Sequence, residues 1–171
     1  LGVFALPAVI AQECDDEIGC IEVDEGDPVV IASMLTVSGA TSFLGEDSVG
    51  GIELALLERD FEVLGFEIEW VEEDSLCSAE GGQAAAQRVA ADESIAGVIG
   101  TNCSSAAVAA LPIISEAGLA MISPSNTGPV LTTTEEGGVY EAGYFRTAHN
   151  DLFQGSIAAD FAINELGATA L

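Results

Sequence analysis

Apolar residues along this chain come in short, nearly continuous runs separated by amphipathic stretches. Residues 29–36 (VVIASMLT) read as a strand covered on both faces. Residues 37–45 are rich in Ser, Gly and Thr and form a first loop in which Phe43 and Leu44 stand exposed. From 46 to 60, Val49, Ile52, Leu54, Leu56 and Leu57 recur at helical spacing, and Gly65 closes the region with a turn. Residues 66–72 alternate strictly, with Phe66, Ile68 and Trp70 on one face and Glu67, Glu69 and Val71 on the other, which predicts a strand at the sheet's edge with one wetter face. A loop over 73–78 carries Cys77, and a helix over 79–91 follows, its Ala84, Ala85, Ala86 and Ala90 allowing close packing.

The unit then repeats. A strand at 95–100 leads into a polar turn ending in Cys103-Ser104-Ser105, an alanine-rich helix reaches Ala117, and a strand at 119–123 leads into a second polar turn over 124–127. Strand and helix alternating at intervals of about thirty residues predict an α/β fold, a three-layer open parallel sheet with helices on both faces. Beyond Thr132 the pattern dissolves until a short extended segment at 144–147. Residues 151–166 are amphipathic again, with Asn150 or Asp151 as cap and Gly167 as stop, and 168–171 begin a strand.

In such a sheet, ligands bind at the carboxyl edge, outside the strand ends. The two polar turns would lie side by side there. A helix opening on Ser104-Ser105 offers unpaired N–H groups, hydroxyls and a positive dipole end to a small anion such as a carboxylate. Thr127 could add its N–H to the same anion while its hydroxyl and a neighbouring carbonyl accept from a cation, so that together the turns would hold a zwitterion. The plainer alternative is that Ser104 caps its helix and Ser123-Pro124 is only a turn.

Charge narrows the function classes. There are 29 acidic residues against three arginines, for a formal net charge of -26, which disfavours nucleic acid and anionic lipid as partners. With 49% hydrophobic residues and a mean hydropathy of +0.42, the chain has the composition of a folded domain. Catalysis is poorly supported: His149 is the one imidazole, and no nucleophile elbow or phosphate-binding glycine loop occurs. No cofactor is indicated. The carboxylate clusters, such as Glu72-Glu73-Asp74, read as solvated faces.

The N-terminal residues 1–12 are apolar, too short to span a bilayer, and read as the remnant of a secretory signal, with a lipid anchor on Cys14 or an ordinary buried strand as the lesser readings. Four cysteines in an exported chain suggest disulfides; proximity and strand register favour Cys14 with Cys20 and Cys77 with Cys103 out of three possible pairings. Zinc is disfavoured because no CxxC occurs and His149 lies far away.

The runs VIGTNCSSAAVAALPIISEAGLAMISPSNTGPVLT, GYFRTAHNDLFQG, SFLGEDSVGGIELA and EDSLCSAEGGQAAAQRVAAD closely resemble the leucine/isoleucine/valine-type substrate-binding proteins of ABC importers, type I periplasmic binding proteins with two α/β lobes. The likeness runs from about residue 28 to 171, while family members are about twice this length. The resemblance implies a Cys77–Cys103 disulfide, a ligand carboxylate on Ser104 beside Ser105, and an ammonium and carboxylate held by Ser125 and Thr127 with Asn126 between them. The family's aromatic before the first-loop glycine is Leu44 here, preceded by Phe43.

It also implies a domain plan: residues 13–27 as an acidic cysteine loop and linker, 28–145 as an incomplete first lobe, and 146–171 as the hinge crossing and the truncated start of a second lobe. The expected function is non-catalytic capture of a branched-chain-type amino acid or a related small carboxylate outside the cytoplasm, in the periplasm or beyond it, for delivery to a membrane permease. A ligand-sensing receptor ectodomain on the same scaffold is the alternative.

Overall fold

A computed structural model describes residue 16 and residues 18–169. Six strands form one sheet in the order β2-β3-β1-β4-β5-β6. The strands are β1 (Val29–Leu35), β2 (Glu62–Val63), β3 (Phe66–Asp74), β4 (Ile95–Gly100), β5 (Met121–Ser123) and β6 (Tyr144–Arg146). Four helices accompany them: α1 (Phe43–Glu58), α2 (Ala79–Ala90), α3 (Ser104–Glu116) and α4 (Asp151–Asn164). A short 3-10 turn spans Pro129–Thr132.

Alternation along β1 sorts the layers. Val30, Ala32 and Met34 pack with Ala85, Ala86 and Val89 of α2 and Ala107, Ala110, Leu111 and Ile114 of α3. Leu35 and, half-buried, Ile31 point the other way, onto Ile52 and Leu56 of α1 and Ile68 and Trp70 of β3. Helices therefore flank both faces, as the continuous apolar run of β1 requires. The sheet departs from the expected all-parallel form at one end, where β2 pairs antiparallel with β3. Two residues carry no readable periodicity, and they displace β3 from the edge position that its alternation suggested.

Other boundaries shift for local reasons. Phe43 and Leu44 belong to the first turn of α1 rather than to a loop. β5 begins at Met121, two residues late, because the Leu119 N–H is still held by the Ile114 carbonyl at the end of α3. Of the expected final strand, 168 and 169 are not in a strand, and 170–171 lie outside the described residues. Residues 1–12 and Cys14 also lie outside them, so the signal remnant and the Cys14–Cys20 pairing are not described.

The α2–α3 contact is unusually close. A Cβ placed on Gly82 would stand 2.4 Å from the Ala106 carbonyl oxygen and 2.7 Å from its Cα. Two helices carrying side chains at that crossing could not approach so far. Gly45 serves α1 in the same way, its missing Cβ leaving room for the Thr36 carbonyl.

Asp74 finishes β3 by accepting the N–H groups of Leu76 (2.9 Å) and Val37 (3.3 Å). Burial works to raise its pKa, but hydrogen bonds from Ser38, Leu76 and Val37 outweigh it and hold the carboxyl below the usual aspartate value. A depressed folded pKa adds stability above the unfolded value and loses it as pH falls through the folded value.

Two outcomes are expected. Gly82→Ala should destabilise by about 1–3 kcal/mol through overpacking, despite the helix propensity it gains. Gly50→Ala in α1, where nothing lies within 4 Å of the new Cβ, should instead stabilise by about 0.5–1 kcal/mol; urea midpoints of both variants decide the sign. Asp74→Asn should be less stable than the parent at neutral pH, with the difference closing as pH drops below about 4, read from urea midpoints across that range.

Candidate functional site

The parallel strands β1, β4 and β5 all end at one edge, and each releases a polar loop there. The hydroxyl of Ser123, buried at the end of β5, organises the second turn. It donates to the Thr101 carbonyl (2.8 Å) and accepts from the N–H groups of Asn126 (2.8 Å) and Ser125 (3.2 Å). Below it Asn126, with 0% of its surface exposed, accepts from the Tyr144 hydroxyl at 3.1 Å and lies within 3.5 Å of the Thr101 hydroxyl. Burial raises the Tyr144 pKa, so the phenol keeps its proton and remains a donor.

Arg146, leaving β6, closes the turn from the far side. Its guanidinium donates to the carbonyls of Gly128 (2.9 Å) and Asn126 (3.3 Å) and to the Thr132 hydroxyl. The Thr147 N–H and hydroxyl reach the carbonyls of Ser123 and Pro124. The second turn is thus held by three successive groups of polar contacts, from β5, β6 and the segment that follows.

Ser104 opens α3, but the position capping that helix is Cys103, which makes no side-chain cap. The Ser104 hydroxyl instead crosses to the second turn and accepts the Gly128 N–H at 3.1 Å. The two turns therefore meet directly, and the plainer alternative for Ser104 is not what the geometry shows. Thr127 sits half-buried beside this contact, its carbonyl accepting the Asp151 N–H at 2.9 Å. Among the described residues, the N–H groups of Ser104, Ser105 and Thr127 have no hydrogen-bond acceptor. The Ser104 and Ser105 N–H groups lie in the first turn of α3, at its positive dipole end, where a small anion is favoured, and Thr127 adjoins Gly128, which the Ser104 hydroxyl holds.

The other expected positions divide. Ser125 is half-buried at the rim, its hydroxyl 3.3 Å from the Asn102 carbonyl. Phe43 (62% exposed) and Leu44 (39%) flank the same edge from the first turn of α1, beside a trough of about 1130 Å³ that runs from Pro124 and Ser125 down the sheet face. Ser105 is exposed, with its hydroxyl 3.4 Å from the Cys77 carbonyl. Cys77 and Cys103 form the expected disulfide, Cα atoms 5.1 Å apart, which ties the β3–α2 loop to the start of α3. Asn126 is a correction: its side chain faces inward as a scaffold and does not line the rim.

Sequence reading missed Asn102 altogether. It is 6% exposed, and its carboxamide joins the ends of three segments. No nucleophile with its base is assembled here: Cys103 is spent in the disulfide, and His149 makes no side-chain hydrogen bond among the described residues. Nor do those residues contain a group of three His, Cys, Asp or Glu side chains placed to hold a metal.

Comparison with known proteins identifies the family and the fold. The family described as periplasmic binding protein matches residues 28–171. An amino acid binding protein of Pseudomonas aeruginosa is 31% identical over 142 residues, covering 82% of this chain and 37% of the relative. The structure of the leucine binding protein LivK of Thermotoga maritima superposes with a TM-score of 0.73 at 32% identity, covering 82% of this chain and 38% of that one. The branched-chain amino acid transporter substrate-binding protein LivJ of Streptococcus pneumoniae, solved with isoleucine, gives 0.75 at 25% identity, covering 83% and 40%. The chain thus spans well under half the length of these relatives. With the family match covering residues 28–171 and this sheet edge in place, the chain belongs to the periplasmic binding protein family.

Proposed function

We propose that this chain supplies the first lobe of an extracytoplasmic solute-binding component of an ABC importer, and that its ligand is an amino acid of branched-chain type or a related small carboxylate. The observation that carries the reading is the Ser104 hydroxyl accepting the Gly128 N–H, which sets Ser104 and Thr127 beside one another at the rim. In this reading the Ser104 hydroxyl, whose oxygen accepts from Gly128 while its proton is free to donate, takes the carboxylate with the N–H groups of Ser104, Ser105 and Thr127, the Ser125 carbonyl and the Thr127 hydroxyl accept from the ammonium, and Phe43 and Leu44 face the apolar side chain. The names of the relatives, with leucine and isoleucine among their ligands, support the ligand class.

The domain plan follows the same reading. Residues 28–145 form the first lobe. Arg146 begins the crossing, and α4, which has no buried residue, starts a second lobe that closes on the ligand from the other side. A membrane permease receives the cargo.

In the full-length protein, Ser104→Ala and Thr127→Ala should each weaken binding by about 1–3 kcal/mol, the range for stranding a buried partner of a charged group. Calorimetry with leucine, isoleucine and valine reads this directly, and affinities unchanged in both variants reject the assignment.

A further inference from the structure

We infer that Asn102 is the positioning residue of this rim, a single carboxamide that sets the relative placement of all three loops meeting there; the inference rests on the binding reading above. Its Oδ1 accepts the Thr36 N–H at 2.9 Å, at the end of β1. Its Nδ2 donates to the Leu44 carbonyl (3.1 Å) and the Ser48 hydroxyl (3.0 Å), in the first turns of α1, and lies 3.4 Å from the Ser125 hydroxyl of the second turn. Its backbone carbonyl lies within 3.3 Å of the same hydroxyl. Two residues further along stands Ser104.

One side chain is therefore bonded to the first turns of α1, which present Phe43 and Leu44, is adjacent in sequence to the disulfide at the start of α3, and contacts the turn that carries Thr127. At 6% exposure its amide is largely shielded from water, so a missing partner leaves a group that is poorly compensated. The network is polar and fully satisfied, which gives one arrangement of the loops rather than several. Asn102 touches none of the three unaccepted N–H groups. It acts through the residues that carry them.

The test is a double-mutant cycle in the full-length protein, with leucine as the probe. Asn102→Leu keeps the volume and removes every polar atom of the side chain. It should weaken leucine binding about ten- to a hundredfold in protein that remains folded by circular dichroism, and its effect should be non-additive with that of Ser104→Ala, because a misplaced Ser104 has less to lose. A residue needed only for stability would lower the melting temperature and leave both the affinity of the folded protein and the cycle unaffected; that result, or losses that simply multiply, overturns the inference. Where Ser104→Ala weakens binding and Asn102→Leu does not, the binding reading stands and the role of Asn102 falls; where Ser104→Ala is itself silent, the binding reading has failed first. If Asn102→Leu does not fold, Ser48→Ala, which removes one of its partners, replaces it in the cycle: a loss of about three- to tenfold, again non-additive with Ser104→Ala, is expected, and unchanged affinity overturns the inference.

Discussion

The end of a buried strand releases peptide groups into a place with little water, and each must find a partner nearby. At the carboxyl edge of this sheet that obligation is met by side chains rather than by solvent. Ser123 satisfies three backbone groups at once, Asn126 meets Tyr144 and Thr101, and Asn102 meets Thr36, Leu44 and Ser48. Among the described residues, no buried side-chain nitrogen or oxygen lacks a partner. In a medium of low dielectric such a network is stiff because every alternative leaves a donor or acceptor stranded. The polar loops are consequently held without a regular backbone pattern of their own, and the N–H groups of Ser104, Ser105 and Thr127 are among those left without an acceptor.

The two faces of the sheet are treated differently. Against α2 and α3 the packing is tight, made of alanines and a glycine that let the helices come close. On the other face α1 covers only part of the apolar surface. Ile99, Ile122 and Trp70 line the trough beside it, and Ile122 is 46% exposed. In α4, Leu152, Phe153, Ile157 and Phe161 are exposed as well. Contiguous apolar patches tend to mark interaction surfaces, and these lie open among the described residues.

Much of this was readable from the amino acids. The apolar runs at Val29, Ile95 and Leu119 located the central strands, and the alanines of 79–91 and of the stretch reaching Ala117 located the helices that pack closest. The Cys77–Cys103 disulfide was one of three pairings open to the residues, favoured because each cysteine follows a predicted strand, and the family resemblance implied it. What could not be read depends on distant partners. Asn102 bonds to groups 66, 58 and 54 residues away, and nothing in its own neighbourhood distinguishes it from a turn residue. Asn126 looked like a rim residue because its neighbours Ser125 and Thr127 are rim residues, yet the buried phenol of Tyr144, 18 residues on, draws it inward. β2 is too short for periodicity, and Phe43 and Leu44 looked like loop because the helix they begin has no side-chain cap to announce it.

One peptide unit joins these arrangements. The carbonyl of Thr127 and the N–H of Gly128 belong to the same rigid plane; the first is bonded to the Asp151 N–H that starts α4, and the second to the Ser104 hydroxyl. A flat plate pinned at opposite edges can only rock. Any guest that drew the Ser104 hydroxyl toward itself would tip that plate, and the tilt would reach the first turn of α4 as a tug on its leading amide, a lever one bond wide between the pocket and the helix beyond it.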